Sequence, residues 1–285
     1  MKKLRAASLS IVVNLLLMFL KLFASAMTGS VGIFAEVLHS FLDLLASLFA
    51  YFGIRKAQEP EDKTHPYGHE KFENLSSLAQ VVLIALTALW IAYEAAMRYL
   101  NPVPIDYTAI GLGVMLVALG ADFLISRYLH KVSEEEGSVA LEADAYHFTS
   151  DIWSTVAVIF GLALSAVGFH AADSLAALVV ALFMLRLSFS LGMKSLSVLL
   201  DKGASIEELE KIVTVIAKVK EVKGYHKLRA RHMGSKLMVD LHIQLEHSMP
   251  LVKAHRISHK LKGKIMAAVP EAKDVLIHIE PHGKI

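Results

Sequence analysis

Six stretches of this chain are apolar for longer than a soluble helix requires, and short polar breaks separate them. They fall near Ala7–Met27, Ile33–Ile54, Leu75–Leu100, Tyr107–Leu129, Ala140–Phe169 and Ala172–Leu200. A helix crosses a hydrocarbon core in about 20 residues, so the pattern predicts six transmembrane helices over residues 1–200. The first run continues well past a short signal-type core and has no small-residue cleavage site at its end. It therefore reads as a retained span.

After Leu200 the pattern breaks up. Ser205-Ile206-Glu207-Glu208 has the form of a capping box and predicts a helix to about Lys218. Leu237, Val239, Leu241, Ile243 and Leu245 then alternate with Met238, Asp240, His242 and Gln244, the period of a half-buried strand. With a partner strand at Tyr225–Met233, a Gly234-Ser235 turn, a helix at Leu251–Ala268 and a strand at Asp274–Glu280, the order is α-β-β-α-β. Residues 201–285 thus read as a separate small α/β sandwich.

Composition agrees with a chain that lives largely in lipid: 55% of the 285 residues are hydrophobic and the mean hydropathy is +0.50. The breaks at Thr28-Gly29-Ser30, Asn101-Pro102-Val103-Pro104 and Gly168-Phe169-His170 lack Lys and Arg. Lys2, Lys3, Arg5, Arg55, Lys56, Lys63, Lys71 and Lys131 lie on the other side. The positive-inside rule then puts both termini in the cytoplasm of an inner or plasma membrane protein. A net charge of +2 with no basic stretch interleaved with aromatics excludes a nucleic-acid partner. Cysteine is absent, so disulfides and thiolate metal sites are excluded and any metal must be held by His, Asp and Glu.

Those ligand types recur at a telling spacing. The second span carries His39-Ser40-Phe41-Leu42-Asp43 and the fifth His147-Phe148-Thr149-Ser150-Asp151, so each sets His and Asp one turn apart on one helical face. Two imidazoles and two carboxylates suit a tetrahedral Zn²⁺, and ionisable clusters inside a membrane mark ion pathways. The structural alternative, set against this strong signal, is that each pair is a local intrahelical hydrogen bond or interhelical glue. Glu36, Asn14, Asp122 and Asp144 each stand alone in or near spans. Between spans two and three, Asp62, His65 and His69 lie close together; they either bind a second ion with water as a fourth ligand or are simply solvated. The soluble part offers His226, His232, His242, His247, His255, His259, His278 and Glu280, with His278 and Glu280 on one strand face.

With these motifs in place, the chain resembles the cation diffusion facilitator family over nearly its whole length, and in particular its bacterial zinc/proton antiporter branch. The resemblance implies a homodimer with a transport site of His39, Asp43, His147 and Asp151, and a metallochaperone-like, ferredoxin-like cytoplasmic domain. It further implies a loop site of Asp62, His65 and His69, and a binuclear site drawing on His226, His242, His255 and His278. Glu280 stands there where a bridging Asp is usual. Lys71 and Asp201 match a charge interlock that steadies the dimer. A His in both membrane elements favours Zn²⁺ over Cd²⁺, Co²⁺, Fe²⁺ or Mn²⁺.

The expected activity is proton-coupled efflux of a divalent cation across the bilayer by alternating access. Two rivals remain from other classes. A membrane-anchored metal sensor accounts for the His-rich tail but not for ligands inside two spans. An intramembrane zinc hydrolase needs HExxH and an open metal position, and here Glu73 stands where the second His would be.

Overall fold

The computed structural model describes residues 2–28, 31–100, 109–166 and 172–283; within them the side chains of 28, 31–36, 38, 39, 98, 109–112, 157–166, 172, 173 and 176 are not described. The three polar breaks at 28–30, 101–104 and 168–170 lie wholly or mostly outside the described residues. The chain divides into two compact units, Met1–Leu196 and Ser197–Ile285.

Among the described residues the first unit holds six long helices, the last running a few residues past its boundary: α1 (Lys2–Thr28), α2 (Val31–Ala57), α3 (Phe72–Leu100), α4 (Ala109–Glu136), α5 (Val139–Ala166) and α6 (Ala172–Leu199). Among the described residues four segments are long and apolar enough to cross a membrane: Lys2–Met27, Phe72–Met97, Gly113–Glu136 and Ala177–Leu199. At one end each, α1 (from Lys2), α2 (to Ala57), α3 (from Phe72) and α4 (to Glu136) run several residues past the apolar stretches, because extending a helix already formed costs little.

Burial in this unit is the reverse of a water-soluble bundle. Phe23, Trp90, Leu124 and Phe189 are each about two-thirds exposed or more, while Ser10, Asn14, Ser47, Ser77 and Gln80 are buried. Lipid removes the penalty on exposed apolar side chains and leaves packing and interhelical hydrogen bonds to hold helices together. Small residues provide the close approaches. A Cβ added at Gly53 of α2 would stand 2.1 Å from Ser76 Oγ of α3, so only glycine fits that crossing. At one end of the unit Lys3 Nζ donates to Glu73 Oε1 at 2.7 Å and Ser138 Oγ donates to Glu73 Oε2 at 2.6 Å, joining α1, α3 and the lead-in to α5.

In the second unit α7 (Ile206–Ala217), β1 (Gly224–Met233), β2 (Lys236–Leu245), α8 (Leu251–Ala268) and β3 (Ala272–Pro281) follow the order read from the sequence. The capping box is formed: Ser205 Oγ accepts from Glu208 N, and the Glu208 carboxylate accepts from Ser205 N. The sheet order is β1-β2-β3, with β1 antiparallel and β3 parallel to β2, so α8 is the crossover that a parallel neighbour requires. Gly234, at φ 60°, leads the two-residue hairpin turn. Leu237, Val239, Leu241, Ile243 and Leu245 are buried in one core with Ile212 and Ile216 of α7 and Ile257, Leu261 and Ile265 of α8. Alternation then puts Asp240, His242 and Gln244 on the opposite, open face.

Candidate metal sites

The helices bring Asp43 of α2 together with His147 and Asp151 of α5: one ligand atom from each lies within 4.8 Å of the others. His147 Nε2–H donates to Asp43 Oδ1 at 2.9 Å, and both side chains are buried. Among the described residues, His147 Nδ1 is buried and has no hydrogen-bond partner. His39 sits one turn before Asp43 on α2; its side chain, like that of Glu36, lies outside the described residues.

Around this trio the interior is more polar than lone residues in the sequence suggested. Asn14 Nδ2 of α1 donates to Ser47 Oγ at 2.8 Å and to the Asp43 carbonyl at 3.3 Å. Ser47 Oγ donates to Asp144 Oδ1 at 2.8 Å and lies 2.6 Å from Ser10 Oγ. On the other side of Asp43, Lys21 Nζ donates to Ser40 Oγ at 2.9 Å. Lys21 and Ser47 carry no local signal of a role. An apolar run hides a serine, and one lysine inside a long span reads as a flank; only the intramembrane charge itself was a pointer.

In the loop, Asp62, His65 and His69 also converge within 4.8 Å. Asp62 Oδ1 accepts from Thr64 Oγ1, Thr64 N and His65 N at 2.7, 2.8 and 2.6 Å. The Thr64 hydroxyl first, and then the His65 backbone N–H, hold the Asp62 carboxyl well below the usual carboxylate range. His69 Nδ1 lies 3.1 Å from the Pro60 carbonyl, which only accepts, so Nδ1 carries the proton. In the neutral imidazole the Nε2 lone pair then faces Asp62 Oδ2 at 3.3 Å. Two lone pairs facing across that gap call for a cation or a proton between them, which is the donor geometry of a metal site.

In the second unit the strand register sets His226, His242 and His278 in one row across the sheet. Glu280, two residues along β3 and on the same face, accepts from His226 Nε2 and His242 Nδ1, each at 2.7 Å. The hydrogen bond from His242 first, and that from His226 after it, lower its carboxyl below the usual range. His226, His242 and Glu280 offer ligand atoms within 4.8 Å of one another, while His278 Nε2 is 3.8 Å from Glu280 Oε1. His255 is on α8, against the other face of the sheet, with its ring 4.5 Å from that of His259. Within one copy of the chain it does not meet the row. His232 Nε2 lies 3.3 Å from Glu208 Oε2 at the start of α7, and Asp201 Oδ2 accepts from Arg231 Nη1 at 2.6 Å. Lys71 belongs to the first unit, just before α3.

Residues 7–200 match the family model described as the cation efflux transmembrane domain, and residues 204–282 match that of the cation efflux protein cytoplasmic domain. The chain is 33% identical over 277 residues to the cation-efflux pump FieF of Escherichia fergusonii, covering 97% of this chain and 92% of that one. It is 34% identical over 266 residues to the protein of the same name from Yersinia pestis, covering 93% and 88%. Among solved structures, the metal-bound C-terminal domain of the CzcD transporter from Thermotoga maritima aligns with 28% of this chain and 93% of its own. The identity there is 25% and the TM-score 0.28.

Proposed function

The chain belongs to the cation diffusion facilitator family of cation efflux transporters, and on that premise we propose that its cargo is Zn²⁺, exchanged for protons. The observation that carries the reading is the 2.9 Å hydrogen bond between His147 Nε2 and Asp43 Oδ1. That bond holds a proton on one of two atoms that are both metal ligands by type. A divalent cation that takes both atoms expels the proton, and a proton that returns displaces the cation, so the two occupants compete for one place. Imidazole with carboxylates suits Zn²⁺ better than a harder ion, with Cd²⁺, Co²⁺ and Fe²⁺ as competitors.

In this reading His39 completes the set from α2, six helices span the bilayer, and both termini face the cytoplasm. Alternating access then exposes the four ligands first to the inside and next to the outside. Two copies assemble through the second unit, steadied by Lys71 and Asp201. The loop trio and the row of His226, His242, His278 and Glu280 bind resident ions that stabilise or regulate, and His255 joins that row only from a second copy.

The test is zinc flux into proteoliposomes with an imposed pH gradient, comparing the unaltered chain with Asp43→Ala and Asp151→Ala. Gradient-dependent flux lost in both variants is the expected result. Zinc bound by the unaltered chain without flux would instead support a membrane-anchored sensor. Competition by Cd²⁺, Co²⁺ and Fe²⁺ in the same assay ranks the cargo, and a lower apparent affinity for Zn²⁺ than for any of them would refute the zinc assignment.

A further inference from the structure

The polar interior around Asp43 is unequal in charge. Among the described residues of α1, α2, α4 and α5 it holds the acids Asp43, Asp122, Asp144 and Asp151, against the bases His147 and Lys21. Lys21 lies in the Lys2–Met27 span, where an ammonium is costly unless it serves the interior. Its position is fixed by geometry. Asn14 and Lys21 are seven residues apart and share one face of α1. Asn14 meets α2 at Ser47 and the Asp43 carbonyl, while Lys21 meets it at Ser40. The ammonium is therefore held about one helical turn beyond Asp43, on the side away from the chain's N terminus. Asp122 of α4 is buried and lies within electrostatic reach of Lys21, Asp43, His147 and Asp151, so the lysine and the ligand carboxylates share one field.

We propose that Lys21 is a tethered counter-cation: its ammonium offsets the charge of Asp43, Asp122 and Asp151 in the metal-free state and is opposed by the incoming divalent ion. Lys21 is not itself a ligand, since an ammonium has only donors. It acts through the carboxylates by making the metal-free site less costly and the loaded site less tight. A transporter gains from this, because cargo held too firmly is not released. A lysine of merely structural value would behave otherwise, since its loss would loosen the site and weaken binding. The proposal rests on the transport reading for its purpose but not for its binding prediction.

The experiment uses the full chain carrying Asp62→Ala and His242→Ala, so that zinc titration in detergent reads the membrane site. Lys21→Met is expected to tighten zinc binding about tenfold, the scale of one unit charge removed from a nearby cation site. Lys21→Arg keeps the charge and is expected to keep the unaltered affinity. Lys21→Gln serves as a second neutral variant should the methionine chain fail to fold. In proteoliposomes the neutral variants are expected to show a lower KM together with a lower kcat. Unchanged or weaker zinc binding in both neutral variants would overturn the proposal. Absence of flux in the unaltered chain would sink the transport reading alone, since the titration does not depend on it.

Discussion

Removing Lys3 should destabilise the helical unit far more than an N-terminal lysine normally would. Its Nζ lies 2.7 Å from Glu73 Oε1, with the two side chains 12% and 6% exposed. At an effective dielectric near 20, unit charges at that separation attract by roughly 6 kcal/mol, and desolvation of both groups offsets much of this. Lys3→Met leaves the Glu73 carboxylate buried with the Ser138 hydroxyl still donating to it, for which the expected cost is about 3–5 kcal/mol. The double variant Lys3→Met, Glu73→Leu removes both charges and should cost about 1 kcal/mol or less, because no stranded charge remains. Reversible unfolding of the full chain in mixed micelles, run on both single variants and the double, gives the coupling directly. A loss under about 1 kcal/mol in Lys3→Met would refute the reasoning, since that is how a solvated surface pair behaves.

Gly53→Ala should push α2 from α3, because the new Cβ has nowhere to go but Ser76; a loss of about 1–3 kcal/mol in the same unfolding assay is expected. In the second unit, the Lys262 hydrogen bond holds the Asp274 carboxyl below its usual range. A depressed folded value means a contribution present above the unfolded value, about 3.9, and lost as pH falls through the folded one, so thermal melts should decline below about pH 4. Asp274→Asn is expected to flatten part of that decline; an unchanged profile would count against the pair. His242→Ala removes the middle of the histidine row and should lower the zinc bound per chain at saturation, as read by elemental analysis after dialysis.

The parts legible in the sequence are those written in local spacing. The capping box at Ser205 and Glu208 formed because its two partners are three residues apart, and the alternation from Leu237 to Leu245 chose the buried face of β2 without knowledge of the rest. The bounds of α8 follow equally local signals, with apolar residues repeating at helical period up to Ala268. What spacing does not encode is who meets whom across the fold. Glu73 reads as a failed second histidine of a hydrolase motif, and its partners Lys3 and Ser138 lie 70 and 65 residues away. Asn14, Asp122 and Asp144 read as isolated in the sequence because their neighbours are on other helices. His255 looked equivalent to His226 and His242, yet the sheet divides them, since helix α8 covers one face while the row occupies the other.

The histidine row has a consequence for how the second unit folds. His226, His242 and His278 stand opposite one another only in the native register of three strands, and β3 reaches its place last along the chain, after the whole of α8. A slip of one residue would set Ile277 or Ile279 against His242 and turn the histidine to the wrong face. An ion gripped by the row would therefore act as a proofreader of strand pairing, locking in the one alignment that gathers its ligands and leaving every misaligned sheet free to open and try again.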